Sequence, residues 1–490
     1  MTFETSPVKD APMPTLEVPQ ARHLIDGGWV PARHRGTLDV VDPATHKAFH
    51  VIANGGASDV DAAVAAARTA APGWAAMNPS DRGALLGRWA ALIGDHVEEL
   101  AALEARDVGK PLSGGRMNIW IAQGIIAYFA GAADKLTGVT LPTRDPDYLG
   151  LTLREPFGVC AVLIPWNVPA VLTAANVAPA LAAGNTVVLK PSEVAPLVTL
   201  ALADLAVRAG LPAGVLNLVT GEGATAGVAL TGHPDIDHIS FVGSTGTGRA
   251  VMAGAATHLV PVKLELGGKS PNVLFADADL DVALPAIVAS ITENAGQNCY
   301  AGSRLVVESS IHDEVVERLE ELMAAVRLGT WEEDLDMGPL VSQAQHDRVA
   351  GFLQDPQARL VTGGRTGDGW FIEPTVFDQV TPDLRLAREE IFGPVLAVQT
   401  FTGFDQAVQY ANATDFGLLA CLWTGDISKA LRLARRTRAG QVAVNQFHDA
   451  GVIGFPFNMQ RDSGFSAGGG YAAMREYTQE KAVAIRLLGP

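Results

Sequence analysis

Cys299, Glu265 and Asn167 are the residues whose types and settings could do chemistry in this sequence. Cys299 lies in GQNCYAGSR (296–304), flanked by glycines and by Gln297 and Asn298, where a helix is expected to turn into a strand. A thiol used for attack needs access and a polar surround that favours the thiolate, whereas a lone cysteine is more often a small buried hydrophobe. Residue types alone leave those readings level. Glu265 ends the apolar run VKLE and precedes Leu266, Gly267 and Gly268. Open α/β sheets place reactive groups at such a carboxyl end, although an ordinary solvated strand-end acid is the plainer reading. Asn167 sits between prolines in PWNVP (165–169), where its amide could donate to a developing oxyanion or cap the following helix. Lys190 and Glu193, in KPSE after the next strand, can grip ribose hydroxyls or form a surface loop.

These groups need a scaffold, and the central third supplies one. Short β-branched runs at 159–164, 186–189, 215–219, 238–242 and 262–266 alternate with helical stretches, and Gly184 and Gly210 stand where helices should end. This is the pattern of a doubly wound parallel sheet. Ahead of it, Asp61 to Ala105 carries the apolar spacing of two or three helices. After Leu266 the alternation restarts, with a helix before Cys299, a strand at 304–308, a helix near Glu314 to Ala325, and strands at 395–401, 418–423 and 441–445. The expectation is α/β, with two doubly wound Rossmann-like domains and a small β element. Residues 138–156 and the tail from Tyr477 to Leu488 are β-rich and lie outside both alternations. Residues 1 to about 20 read as a loose Pro-rich arm.

Length and charge narrow the function. The 490 residues carry a net charge of −17, which disfavours nucleic acid or an anionic membrane as partner. No apolar run reaches the roughly 20 residues of a membrane span, and no secretory leader is visible. Three cysteines form no disulfide framework, so a cytoplasmic, reducing setting is expected. Three apparent motifs are discounted. Gly221, Gly223 and Ala226 fit a dinucleotide glycine pattern that is weak alone. Gly268-Lys269-Ser270 looks like the end of a phosphate loop, but Lys263 takes the first glycine position. His46 and His50, in a strand-like segment without a third ligand, make no metal site.

Taken in order, FGVCAVLIPWNVP, KPSE, FVGSTGTG, ELGGK, GQNC and EEIFGPV resemble the aldehyde dehydrogenase superfamily, from about Asp26 to the C-terminus. The resemblance implies that Cys299 attacks an aldehyde to give a thiohemiacetal. Asn167 and the Cys299 backbone N–H would hold the oxyanion, and Glu265 would activate the water that frees the acid from the thioester. It implies a dinucleotide cleft in which Ser244, after Gly243, meets pyrophosphate. Lys190 and Glu193 would clamp the adenosine ribose, Gly223 would line the adenine end, and Glu390 and Phe392 would hold the nicotinamide ribose. Pro165, Trp166 and Leu266 would border the same cleft. Glu193 repels a 2′-phosphate, so NAD is expected over NADP. Retention of Glu265 points away from acyl transfer to coenzyme A.

By position, Trp120, Val168, Val171, Leu172, Ala175, Glu293, Tyr300 and Phe447 would line a substrate tunnel. Small side chains at Val168 and Ala175 suit a bulky or aromatic aldehyde. Glu293, where many relatives carry an aromatic residue, favours a cationic or polar aldehyde if it enters the pocket and nothing if it points to solvent, the plainer reading. Amino, betaine-type and semialdehyde substrates remain alternatives, as do a catalytically silent binding relative and an esterase-like thiol hydrolase. The implied division is a NAD-binding domain over 1–137 and 157–266, a catalytic domain over 267–470, and oligomerisation strands at 138–156 and 471–490 in a homodimer or homotetramer. The chain departs from the family near its end. Phe457 is followed by Asn458 and Met459, and Ser463-Gly464 by Phe465, Ser466 and Ala467 instead of an Arg-Glu pair.

Overall fold

The computed structural model describes residues 16–34, 36–354, 357–447 and 452–488. Residues 1–15 of the expected Pro-rich arm lie outside them. Val159–Ile164, the run VCAVLI, is buried at every position, as are Thr186–Pro191 and His238–Val242. Strands with no polar face must be covered on both sides, which parallel strands joined by helices achieve. They form an eight-stranded sheet. From Val159–Ile164 the chain steps outward one way through Thr186–Pro191 and Leu216–Leu218, then returns beside its start with His238–Val242 and Val262–Glu265, all parallel. The loops after Ile164 and Val242 therefore diverge, and a crevice opens between them.

Antiparallel strands close both edges: Arg22–Ile25 with Gly28–Pro31 on one side, and Gly464–Phe465 against Val262–Glu265 on the other. The last of these comes from nearly two hundred residues along the chain and bonds to the strand that carries Glu265, with Leu266 donating to the Ser463 carbonyl.

Helix Pro169–Ala182 begins with proline, whose missing N–H costs nothing at a first helical position. Gly184 (φ 98°) and Gly210 (φ 91°) follow their helices in the left-handed conformation that ends a helix, as expected. The Ala-rich stretch forms three helices, Ala57–Ala76, Pro79–Asp95 and Val97–Val108. A fourth, Leu112–Ala132, packs on Pro169–Ala182.

The second alternation gives a seven-stranded sheet ordered 359–362, 375–378, 395–401, 304–308, 271–274, 419–423 and 441–444, parallel except for its first pair. Only Leu266 to Ser270 separate Glu265 from its strand Pro271–Leu274, so the carboxyl end of the first sheet faces the amino end of the second. The β-rich segments form strands that pair with one another, Thr478–Arg486 antiparallel to Tyr148–Pro156 along their whole length, with Thr140–Leu141 outside. One local reading is corrected. His46 is not in a strand; it sits at φ 58° in the turn between Thr37–Val41 and Ala48–Ala53, because it must reverse the chain, and it stacks on Trp370. Among the described residues no group of side chains could hold a metal ion.

Candidate active site

Cys299 is delivered by an abrupt end to helix Leu280–Thr292. Asn294 (φ 51°), Ala295 (φ 54°) and Gly296 (φ 71°) take left-handed conformations in succession, which throws residues 297–303 back across the helix end before strand Arg304–Glu308 begins. Such strain persists only where surrounding contacts over-determine it. Gln297 is one such contact: fully buried, it donates to the Asn294 carbonyl at 3.0 Å and accepts from Val341 N–H at 3.0 Å. Gly268 is another, since a Cβ there would sit 2.2 Å from the Cys299 carbonyl oxygen.

The sulfur meets the carboxylate. Cys299 Sγ lies 3.4 Å from Glu265 Oε1, with the thiol donating. The two residues are 34 apart in sequence, Glu265 ending a strand of the first sheet and Cys299 lying in the loop that precedes a strand of the second. Burial, and then the neighbouring Glu265 charge, pushes the Cys299 thiol well above its ordinary range. The expectation of a surround that favours thiolate is thereby corrected: Gln297 and Asn298 are polar, but their groups turn into the loop and not onto sulfur. Glu265, buried at the strand end, is itself raised by burial, an effect opposed by the charge of Lys263. A protonated thiol beside a carboxylate of raised proton affinity is an arrangement in which the carboxylate can take the thiol proton as sulfur bonds to carbon.

Asn167 does not cap its helix; Val168 holds that position without a side-chain bond. The amide instead reaches the cysteine loop, Nδ2 donating to the Gln297 carbonyl at 3.0 Å. An amide has two N–H groups, so one donor remains on a residue that lines the same cavity as the sulfur. Sequence reasoning missed what holds Asn167 in place. Its carbonyl accepts from Lys110 Nζ at 2.9 Å and from Asn294 Nδ2 at 3.0 Å. Lys110 in turn pairs with fully buried Glu104 at 2.9 Å, whose carboxylate also accepts from Asn118 Nδ2 at 2.6 Å and Ala170 N–H at 3.2 Å. A lysine and a glutamate on an amphipathic helical pattern gave no signal of this.

One cavity of about 900 Å³ joins these groups. It takes in Cys299, Glu265, Asn167, Pro165, Trp166, Gly243, Ser244, Leu266, Glu390 and Phe392, and also Trp120, Val168, Val171, Leu172, Ala175, Glu293 and Tyr300. Val168, Val171, Leu172 and Ala175 share one face of Pro169–Ala182 by their helical spacing. Phe447 is not in its wall, but its ring stands 5.6 Å from that of Tyr300. Glu293 is both exposed and on the wall, so the two readings of it merge. The cavity adds Met117, Ile125, Tyr128, Phe455 and Phe457, which sequence reading left out because they come from helix Leu112–Ala132 and from an irregular segment.

Lys190, Glu193 and Gly223 stand outside that wall but on the same side of the sheet. Lys190 Nζ pairs with Glu193 Oε2 at 3.0 Å, and Glu193 Oε1 accepts from Gly223 N–H at 3.3 Å. Burial raises Glu193 but the Lys190 charge and backbone donors outweigh it, leaving the carboxyl below its usual range. Ser244 caps helix Thr245–Ala256, its Oγ accepting from Thr247 N–H at 3.2 Å, and is exposed. Gly246, next in that first turn, has open space where a Cβ would be. Glu390 is pushed up to about 7 by burial, opposed by the Gly268 N–H at 2.9 Å and by Arg348 and Lys269. Phe392, at φ 60°, sets its ring edge-on to Trp166 with centroids 5.4 Å apart. An open helix N-terminus, an acid–lysine clamp and a second acid along one side of the crevice make a donor and acceptor set that fits a dinucleotide.

Comparison with known proteins finds close likenesses over nearly the whole chain. The model of the aldehyde dehydrogenase family matches residues 29–483. The chain is 40 % identical to an aldehyde dehydrogenase of Emericella nidulans, over 96 % of this chain and 98 % of that one. It is 38 % identical to the betaine aldehyde dehydrogenase of Bacillus subtilis, over 94 % and 96 %. The solved structure of betaine aldehyde dehydrogenase from Staphylococcus aureus in complex with NAD+ superposes with a TM-score of 0.94 at 33 % identity, covering 96 % of this chain and 96 % of that one.

Proposed function

This chain belongs to the aldehyde dehydrogenase family and is an aldehyde-oxidising enzyme that uses a nicotinamide dinucleotide, and from that premise we propose that it oxidises a bulky aldehyde to the free carboxylic acid through Cys299. The observation that carries this reading is the 3.4 Å contact between Cys299 Sγ and Glu265 in a cavity that reaches the crevice.

Sulfur bonds to the aldehyde carbon as Glu265 takes the thiol proton. The remaining Asn167 N–H and the Cys299 N–H bind the oxygen that gains charge; one such donor is typically worth about 3 kcal/mol of barrier. The dinucleotide, when bound, supplies the hydride acceptor. Lys190, Glu193 and Gly223 hold its adenosine end, Ser244 its pyrophosphate, and Glu390 and Phe392 its nicotinamide ribose. Loss of the hydride leaves the acyl group on Cys299 as a thioester. Glu265 passes the thiol proton to solvent and then draws a proton from water, whose oxygen attacks the thioester carbon. As the C–S bond breaks that proton goes to sulfur, restoring the thiol and freeing the acid. Glu193, already engaged by Lys190 and held ionised, favours a 2′-hydroxyl over a 2′-phosphate, and so NAD over NADP. Residues 1–137 and 157–266 serve the dinucleotide, 267–470 the cysteine, and 138–156 with 471–490 join subunits into a dimer or tetramer.

Tyr128, Tyr300, Phe455 and Phe457 around the mouth favour an aromatic or otherwise bulky substrate. Glu293 on the same wall favours a second reading, a cationic aldehyde. A panel of aromatic, aliphatic and trimethylammonium aldehydes, measured with Glu293→Gln alongside, separates them: the first reading expects unchanged ranking, the second a loss confined to the cation. For the central chemistry, Glu265→Gln is expected to release one equivalent of NADH in a burst slower than in wild type, because the thiol must then lose its proton to water, and to stall after it, with steady-state turnover about 100-fold or more below wild type. Undiminished turnover would refute the role of Glu265.

A further inference from the structure

Lys263 entered the sequence reading only as the residue that spoils a phosphate-loop pattern. In the structure it is buried on strand Val262–Glu265, two residues before Glu265, so both side chains leave the same face of the strand. Both line the catalytic cavity. A buried ammonium is costly unless paired, and Lys263 is held by design of its surroundings. Its Nζ donates to Asn176 Oδ1 at 2.9 Å, and the same oxygen accepts from Ser240 Oγ at 3.0 Å. Asn176 is fixed in turn by donating Nδ2 to the Leu172 carbonyl at 2.9 Å. The Tyr477 ring lies 5.6 Å from Nζ. Asn176 also lines the cavity, so the lysine and its holder both stand in the wall that carries the base.

We propose that Lys263 is a positioning residue for thioester hydrolysis: its ammonium, seated on Asn176, keeps the buried Glu265 ionised and so able to draw a proton from water. The proposal rests on the reading of Glu265 as that base. The groups that face Lys263 are few. On its own strand there is Glu265, and beyond it the Cys299 thiol. His238 and Ser240 face it from the neighbouring strand, Asn176 from helix Pro169–Ala182, and Glu476 with Tyr477 from the end of helix Gly470–Glu476.

Burial lowers Lys263 to about 8, with the charges of Glu265 and Glu476 opposing the fall, so at neutral pH the amine is largely protonated. His238, lowered by burial and then by Lys263 to about 3, stays neutral there and adds no competing charge. Glu265 is raised by burial, and the Lys263 charge is the largest influence pulling it back. Removing that charge must therefore move Glu265 upward, and the rate that needs its carboxylate must rise with pH later than in wild type.

The experiment compares pH profiles of steady-state turnover and of the NADH burst in the full-length enzyme with NAD and a turned-over aldehyde. Lys263→Gln keeps a donor for Asn176 and removes the charge. Its ascending limb for steady-state turnover is expected about one pH unit above wild type, with the burst amplitude kept at high pH, and Lys263→Arg is expected to restore the limb. A side chain with a merely structural role would lower the rate without moving the limb. Superposable limbs for wild type and Lys263→Gln overturn the proposal even where Glu265→Gln stalls turnover, whereas full turnover in Glu265→Gln overturns the underlying reading. Should Lys263→Gln fail to fold, the carboxyl stretch of protonated Glu265, followed by difference infrared spectroscopy against pH in Lys263→Met, reads the same shift; an unmoved titration again overturns the proposal.

Discussion

Each polar side chain at the heart of this cavity is placed by a partner that is not itself reactive. Asn167 is the clearest case. One of its side-chain N–H groups is spent on the Gln297 carbonyl, which holds the amide, and its backbone carbonyl is gripped by Lys110 and Asn294, which holds the main chain that carries it. Asn167→Ala should lower kcat by about 100- to 1,000-fold with little change in dinucleotide affinity, as measured by initial rates and by titration of the free enzyme. Glu390 makes a pH-dependent prediction. Burial pushes its carboxyl up to about 7, and the ionised form, with both oxygens free of protons and charged, is the stronger acceptor for the ribose hydroxyls it is proposed to hold. The KM for NAD is therefore expected to fall as pH rises through about 7, and in Glu390→Gln that pH dependence should vanish.

At the scale of elements, the buried pair of Glu104 and Lys110 ties three helices to one loop. Glu104 belongs to Val97–Val108 and accepts from Asn118 on Leu112–Ala132 and from Ala170 at the head of Pro169–Ala182. Lys110→Met would strand a fully buried carboxylate, and should reduce unfolding free energy by about 3–5 kcal/mol in denaturant melts. Glu104→Gln combined with Lys110→Met should recover part of the loss. The sequence made the parallel strands legible because strands such as VCAVLI are buried on both faces and hence continuously apolar. The carboxylate at the end of VKLE and the cysteine after a helix were singled out by their positions in an α/β pattern, but position alone left the plainer readings standing, and only the order of motifs resembling the family assigned them roles. The edge strands 22–25, 28–31 and 464–465 were not, being too short for any alternation to register. Nor was Lys263, since its meaning lies in Asn176, which stands 87 residues earlier and on another element. The thiol environment was misjudged for a related reason: types of neighbours were visible, but not that Gln297 turns into the loop.

Across the whole molecule, the proposed chemistry depends on two sheets meeting end to end, with the carboxyl end of one supplying Glu265 and the amino end of the other receiving the cysteine loop. The three-stranded sheet of 140–141, 148–156 and 478–486 leaves Leu149, Leu153 and Ile485 exposed, a surface that a second subunit would cover. Leu153→Glu with Ile485→Glu is expected to shift the mass seen by light scattering from a multimer toward a single chain. The account stands most directly on the fate of Cys299. Glu265→Gln, mixed with NAD and an aldehyde it oxidises, then acid-quenched and digested, should yield a Cys299 peptide heavier by the acyl group of that aldehyde, in an amount matching the NADH released. NADH release matched by no acyl group on Cys299, or an acyl group on another residue, would contradict it.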